Sequence, residues 1–274
     1  MLFPTKSESA VVALHAVTGA GLALSPLLAG AAVERGVWAV FPVALLLLQL
    51  FVTRAIATAP LPEPEPVRRD EEVRRPLDSR ALWAFVAITF LYGLTECVFA
   101  NWTVVFLNED RHLGPAMAGA GTAAFWAALG IGRVAIAALL LRVPPLPVLP
   151  ALTALMALGA LLVPLAGSAP SGVALLALAG LGCSAVLPLA LGLGGRRFAD
   201  HRAWVAGALY AALMAGQGTG SFAAGLLRPA IGLAAVFRLA AVPPAVACAL
   251  ALALVARARA ARPAPAADAA FTRP

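Results

Sequence analysis

The sequence carries little charge. Of its 274 residues only 12% are Asp, Glu, Lys or Arg, against 62% from the hydrophobic set, and the mean hydropathy is +0.91. A soluble domain is about 25% charged and about 45–50% apolar, so this chain could not cover its own core with polar surface, and a water-solvated exterior is excluded. Cysteine is scarce as well. Cys97, Cys183 and Cys248 lie inside apolar runs without CxxC spacing, which indicates neither a disulfide framework nor a zinc site and leaves them as small buried hydrophobes. Lysine is almost missing, with Lys6 alone against 19 arginines. Together with abundant alanine, this bias suggests a GC-rich bacterial genome and hence the cell's inner membrane. Walker loops, HExxH, nucleophile elbows and His/Asp clusters at membrane depth are all missing, so no enzyme, metal site or cofactor is expected.

What the chain does have is long apolar runs. A bilayer core of about 30 Å needs roughly 17–25 mainly apolar residues per helix. Eight runs of that order are found, at Ala10–Ala32, Val37–Thr53, Ala81–Leu107, Pro115–Leu141, Val148–Ala166, Val173–Leu193, Ala203–Leu227 and Leu233–Ala256. They are continuous rather than alternating with polar residues, which predicts helices and argues against a membrane β-barrel. The first run is longer than the roughly 7–15 residues of a signal-peptide apolar region, and it reads as a span. The expected fold class is all-α: a polytopic integral membrane protein with eight transmembrane helices solvated by the lipid bilayer.

An even number of spans puts both termini on one side. With that side cytoplasmic, fifteen basic residues lie inside: Lys6, the six arginines from Arg54 to Arg80, Arg142, Arg196, Arg197, Arg202 and the four beyond residue 256. Only Arg35, Arg111 and Arg228 lie outside, which is the bias the positive-inside rule describes. The net charge of +7 thus has its explanation in topology, and no nucleic-acid partner is expected. Most connections are short. Residues 57–79 are the exception: Pro60-Leu-Pro-Glu-Pro-Glu-Pro66, followed by the charge run Val67–Arg75, reads as a solvated cytoplasmic linker whose second half has the composition of a short interfacial helix. It separates two spans in residues 1–56 from a six-helix bundle in residues 80–256. Residues 257–274, rich in Ala, Pro and Arg, read as a disordered cytoplasmic tail.

Polar groups at membrane depth are the functional candidates, because an ionisable side chain at the centre of a span costs roughly 2.5–3.5 kcal/mol. Glu96, near the middle of the third span, is the only acidic residue deep in any span. It either binds protons or a polar solute, or it is a structural group satisfied by a neighbouring helix. Arg133 in the fourth span has no acidic partner in its own helix. It either pairs with Glu96 or snorkels to the cytoplasmic interface. Trp126, seven residues earlier, shares its helical face. On the seventh span Tyr210 and Gln217, again seven apart and continued by Ser221, face either a cavity or a neighbouring helix. His15, near a cytoplasmic helix end, is a secondary candidate with a structural alternative. Glycines at 19, 21, 119, 121, 130, 132 and between 216 and 225 suit close helix packing, and Pro188, Pro243 and Pro244 mark kinks.

Several segments, taken in order, resemble a known family. They are Leu14-His-Ala-Val-Thr-Gly-Ala-Gly-Leu-Ala-Leu-Ser-Pro-Leu-Leu-Ala-Gly30, the central linker, the Tyr-Gly-x-x-Glu and Asn-Trp pattern from Tyr92 to Trp102, the Phe-Trp and Gly-Arg pattern from Phe125 to Arg133, Gly180–Ala190 and Gly216–Gly225. These resemble helices five, seven, eight, ten and eleven of the major facilitator superfamily (MFS) of secondary transporters, in particular its fucose-permease-like sugar branch. The resemblance implies a complete C-terminal six-helix bundle preceded by the last two helices of an N-terminal one, with solute bound between two six-helix halves near the midplane. The family's first four helices and the loop motif after its second helix have no match. The resemblance therefore implies either a fragment of a longer transporter or a partner that supplies the missing helices. In fucose-permease-like members the proton-coupling acids are expected largely in the N-terminal half, so that role does not pass to Glu96 by resemblance.

The expected function is secondary active transport of a small solute, sugar-like or otherwise polar, by alternating access, with protons as the candidate coupling ion. The expected pathway residues are Glu96, Asn101, Trp102, Trp126, Arg133, Tyr210 and Gln217, with His15 secondary. Two alternatives stay open: a non-transporting membrane scaffold, assembly partner or inactive remnant, and efflux of amphipathic compounds.

Overall fold

The computed structural model describes the backbone of residues 7–59 and 77–260 and the side chains of residues 21–59 and 77–260. Most of the expected linker, the tail beyond residue 260 and the His15 side chain lie outside the described residues. The regular structure of the described residues is all helical, in the order α1 (Ser7–Glu34), α2 (Val40–Thr58), α3 (Arg80–Val105), α4 (Pro115–Leu139), α5 (Val148–Leu162), α6 (Ala169–Cys183), α7 (Val186–Arg197), α8 (Arg202–Ile231), α9 (Leu233–Leu239) and α10 (Val242–Ala260). Helices satisfy every backbone group within the segment, which is what an uncharged apolar run in lipid demands. A π-helical turn, Phe106–Asp110, ends α3. Gly232, at φ 76°, turns the chain between α8 and α9 in a left-handed conformation that costs glycine no side-chain clash.

Among the described residues six helical segments are long and apolar enough to cross a membrane: Val40–Thr58, Arg80–Asp110, Pro115–Leu139, Val148–Leu165, Ala169–Arg197 and Leu233–Ala260. The protein is therefore membrane-embedded and helical. The other two expected spans fall on α1 and α8. α8 has 30 residues, but its Gly, Gln, Thr, Ser and Arg dilute the apolar content. Of α1 only Gly21–Glu34, a shorter apolar stretch, has described side chains. α10 continues to Ala260, one turn into the residues assigned above to a disordered tail. Alanine and arginine are good helix formers, and Arg257 and Arg259 in the last turn suit a helix C-terminus.

Two apolar segments are broken, and both breaks lie one turn before a proline. α6 stops at Cys183 and α7 starts at Val186, ahead of Pro188; α9 stops at Leu239 and α10 starts at Val242, ahead of Pro243 and Pro244. The cause is local: proline has no N–H for the carbonyl four residues earlier, and its ring crowds that carbonyl. The freed carbonyls are Ser184 for Pro188 and Ala240 for Pro244.

The helices from α3 onward pack in a two-fold pattern. α3 lies along α8 as α4 lies along α6; α5 packs on α6 as α10 packs on α3; α5 and α10 meet each other. Exchanging α3, α4 and α5 with α6–α7, α8 and α9–α10 therefore maps these contacts onto themselves. Backbones touch at glycines. A Cβ on Gly216 of α8 would collide with the Phe90 carbonyl of α3, and one on Gly180 of α6 with the Phe125 carbonyl of α4. The core between these layers holds Phe99, Phe125 and Phe237, with ring centroids 5.6 Å apart for Phe99 and Phe125 and 6.0 Å for Phe99 and Phe237. α1 packs along α4, and the Glu34 carboxylate accepts a 3.2 Å hydrogen bond from the Ala116 N–H at the start of α4, where anions are favoured. α2 touches α1 lightly and buries no residue.

Candidate functional site

Polar residues on α3 reach both broken helices. Tyr92, Thr95 and Glu96 are spaced at i, i+3 and i+4 and so lie close together on one side of the helix; all three are buried. The Thr95 hydroxyl donates to the Ala240 carbonyl at 2.7 Å, the acceptor that Pro244 leaves without its helical donor. At the other break, Arg133 of α4 donates its Nε to the Ser184 carbonyl at 3.1 Å, the acceptor freed by Pro188. One residue earlier the Cys183 carbonyl lies 3.2 Å from the Tyr92 hydroxyl. Each break is thus closed by side chains from a different helix, which is the condition for irregular backbone at membrane depth.

Glu96 sits at the centre of this arrangement. Its Oε1 accepts from the Tyr92 hydroxyl at 2.6 Å and its Oε2 from Gln217 Nε2 of α8 at 2.7 Å, so both oxygens are bonded although the side chain is 5% exposed. The phenol has one proton and two acceptors within reach, Glu96 and Cys183. With a proton on Oε1, the carboxyl can donate to the Tyr92 oxygen while Tyr92 turns its own proton to Cys183. The cluster can therefore hold or release a proton and remain hydrogen-bonded in both states.

Of the two readings of Arg133, pairing with Glu96 or snorkelling to the interface, the first is not what the structure contains. Among the described residues the ion pair present joins Arg228 to Glu109. Arg133 is drawn to Ser184 because that carbonyl has lost its helical partner. Of the other expected pathway residues, Gln217 joins Glu96, and Asn101 lies nearby on α3, its Nδ2 donating to Ser221 Oγ at 2.8 Å. Trp102 packs under the Arg228 guanidinium, 6.0 Å from ring centroid to Cζ, and its buried Nε1 has no hydrogen-bond partner among the described residues. Trp126 meets Phe125 edge-on at 5.1 Å. Tyr210 is 47% exposed on α8 and takes no part in the cluster.

Neither Tyr92 nor Thr95 is among the candidates that the sequence singles out. Tyr92 was open to discovery as one of two tyrosines, one helical turn before the only deep carboxyl. Thr95 gave no such signal, since its partner is a main-chain carbonyl 145 residues away. Asn101 and Tyr210 are exposed and Gln217 is half-buried, with exposed Met214 on the same flank of α8 as Tyr210 and Gln217, so the α3–α8 face carries polar groups among apolar ones and is uncovered by any described helix. Polar groups in that position face other helices or a water-filled space, not hydrocarbon. Among the described residues no group of three or more His, Cys, Asp or Glu side chains is placed to hold a metal ion. No protein-family model matches this sequence, and comparison with curated proteins finds no significant relative.

Proposed function

We propose that the protein is a multi-pass secondary transporter of the bacterial inner membrane, of the major facilitator type, with eight spans and both termini cytoplasmic. In this reading α3, α4, α6–α7 and α8 form one wall of a solute pathway. The observation that carries it is the Glu96 carboxyl, held by Tyr92 and Gln217 beside a broken helix. Discontinuous helices with polar groups near the midplane are how many secondary transporters build their sites, and nested three-plus-three repeats of the kind suggested by the two-fold packing occur within each half of the major facilitator type. A small polar solute, sugar-like in its hydroxyls, finds hydrogen-bonding partners in the more accessible Gln217 and Asn101, with Glu96 directly behind Gln217. Protons are the candidate coupling ion, because the Tyr92–Glu96 pair stays bonded with or without one. Alternating access then requires a facing wall of other helices against which this bundle rocks.

The test is solute uptake into proteoliposomes by the wild type and Glu96→Gln, under an imposed proton gradient. Gradient-driven uptake that falls at least about tenfold in Glu96→Gln, whose amide keeps the shape of the side chain but cannot take up or release a proton, supports the reading. No uptake of any sugar or small polar solute by correctly inserted wild-type protein removes it. A second reading rests on the uncovered α3–α8 face: a non-transporting assembly partner that docks this face on another membrane protein's helices, in which case the wild type shows no uptake and Asn101→Leu weakens the complex.

A further inference from the structure

A groove of about 340 Å³ runs between α3 and α10 at the end of the bundle where α3 begins and α10 finishes. Its mouth carries Arg80 and Arg257, both exposed and neither with an ion-pair partner among the described residues. Its walls below are apolar, small on the α3 side, where Ala84 and Ala87 stand, and larger on the α10 side, where Leu250 and Leu254 flank Ala253. Trp83 stands at the rim, 55% exposed, with its Nε1 donating to the Leu77 carbonyl at 2.7 Å. That bond fixes the indole at the first turn of α3, at the depth where tryptophans mark a membrane interface.

We propose that this groove binds one anionic phospholipid, its phosphate between Arg80 and Arg257 and an acyl chain along Ala84, Ala87 and Ala253. Three features specify a lipid rather than a soluble anion. The two charges sit above an apolar slot that continues into the membrane-spanning part of both helices. Ala84 and Ala87 recess the α3 side of the slot, and Leu250 and Leu254 give it an apolar wall on the α10 side for a hydrocarbon chain to lie against. An interfacial tryptophan flanks the charges at headgroup level. Basic pockets between transmembrane helices on the cytoplasmic side are suited to acidic headgroups, and the arginine distribution puts this end of the bundle on that side. The site is separate from the Glu96 cluster and does not depend on transport.

The experiment is native mass spectrometry of the full chain released from nanodiscs of phosphatidylglycerol and phosphatidylcholine in equal amounts. One phosphatidylglycerol is expected to be retained over phosphatidylcholine by about tenfold. Arg80→Gln/Arg257→Gln is expected to abolish that preference, and Arg142→Gln/Arg196→Gln, which removes the same charge elsewhere, to leave it intact. Ala87→Leu keeps both arginines and fills the slot, and is expected to lower retention of the lipid. Equal retention of the two lipids by the wild type, an undiminished preference in Arg80→Gln/Arg257→Gln, or the same loss in the control pair overturns the proposal. Unchanged retention in Ala87→Leu overturns the seating of the chain. Displacement of phosphatidylglycerol by millimolar inorganic phosphate identifies a soluble-anion site and overturns the lipid assignment.

Discussion

The Nε of Arg133 lies 3.1 Å from the carbonyl of Ser184, the same carbonyl that Pro188, four residues on, leaves without its helical donor. A cation from one helix thus replaces a hydrogen bond that proline removes from another. If that is the role of Arg133, its worth depends on Pro188. Arg133→Met in the wild-type background is expected to cost about 1–3 kcal/mol, the price of an unsatisfied buried carbonyl. In Pro188→Ala, where residue 188 regains an N–H, the same change is expected to cost at least about 0.5 kcal/mol less. Reversible unfolding in mixed micelles of the four proteins of this cycle measures the coupling; strictly additive effects refute it.

At Glu96 the proposed transport role and a purely structural role predict different outcomes. Glu96→Gln preserves an acceptor for Gln217 or Tyr92 and is expected to change stability by less than about 1 kcal/mol. Glu96→Leu strands both partners and is expected to cost about 1–3 kcal/mol. Both variants are expected to lose gradient-driven uptake, so activity and unfolding midpoint diverge for Gln and fall together for Leu. Parallel loss in the two variants would make Glu96 a structural group.

The α3–α8 contact depends on the absence of a side chain at Gly216. Gly216→Ala drives a methyl into the Phe90 carbonyl, and overpacking of that kind costs about 1–3 kcal/mol. Gly207 on the same helix has open space where a Cβ would stand, so Gly207→Ala is expected to be neutral or stabilising by up to about 1 kcal/mol. Thermal unfolding of the two variants should move them in opposite directions from the wild type, or leave Gly207→Ala level with it.

The arginine distribution makes a topological prediction. Single cysteines introduced at positions 111 and 228, in a background in which the native cysteines are replaced, are expected to react with a membrane-impermeant maleimide in intact cells. Cysteines at 142 and 196 are expected to react only after the membrane is opened. Labelling of 142 or 196 in intact cells would reverse the orientation and, with it, the side on which the proposed lipid groove opens.

Membrane solvation and helical secondary structure were determined by the sequence alone, because both depend on quantities local to the chain: the scarcity of charge, the length of each apolar run and the hydrogen-bonding closure of a helix. The helix breaks before Pro188 and Pro244 were local only in part: each proline removes one N–H and crowds one carbonyl, yet Pro26 and Pro229 lie inside unbroken α1 and α8, so packing also decides where the chain breaks. Glu96 was conspicuous for a local reason, as the one carboxyl deep in a span. Its partners were not. Opposite charge suggested Arg133, yet the structure gives Glu96 to Tyr92 and Gln217 and gives Arg133 to Ser184. The rotation of α3 and α8 about their axes, set by backbone contact at glycines such as Gly216, decides which side chains reach Glu96. The break in α6–α7 then supplies a main-chain acceptor that is absent from any list of side-chain charges. α8, expected as the seventh span but more diluted by glycine and polar residues than the six long apolar segments, becomes a principal partner of α3. Only the tertiary structure could decide these pairings, because hydrogen bonds between residues 51, 91, 121 and 145 positions apart depend on how whole helices pack and not on any property of a single segment.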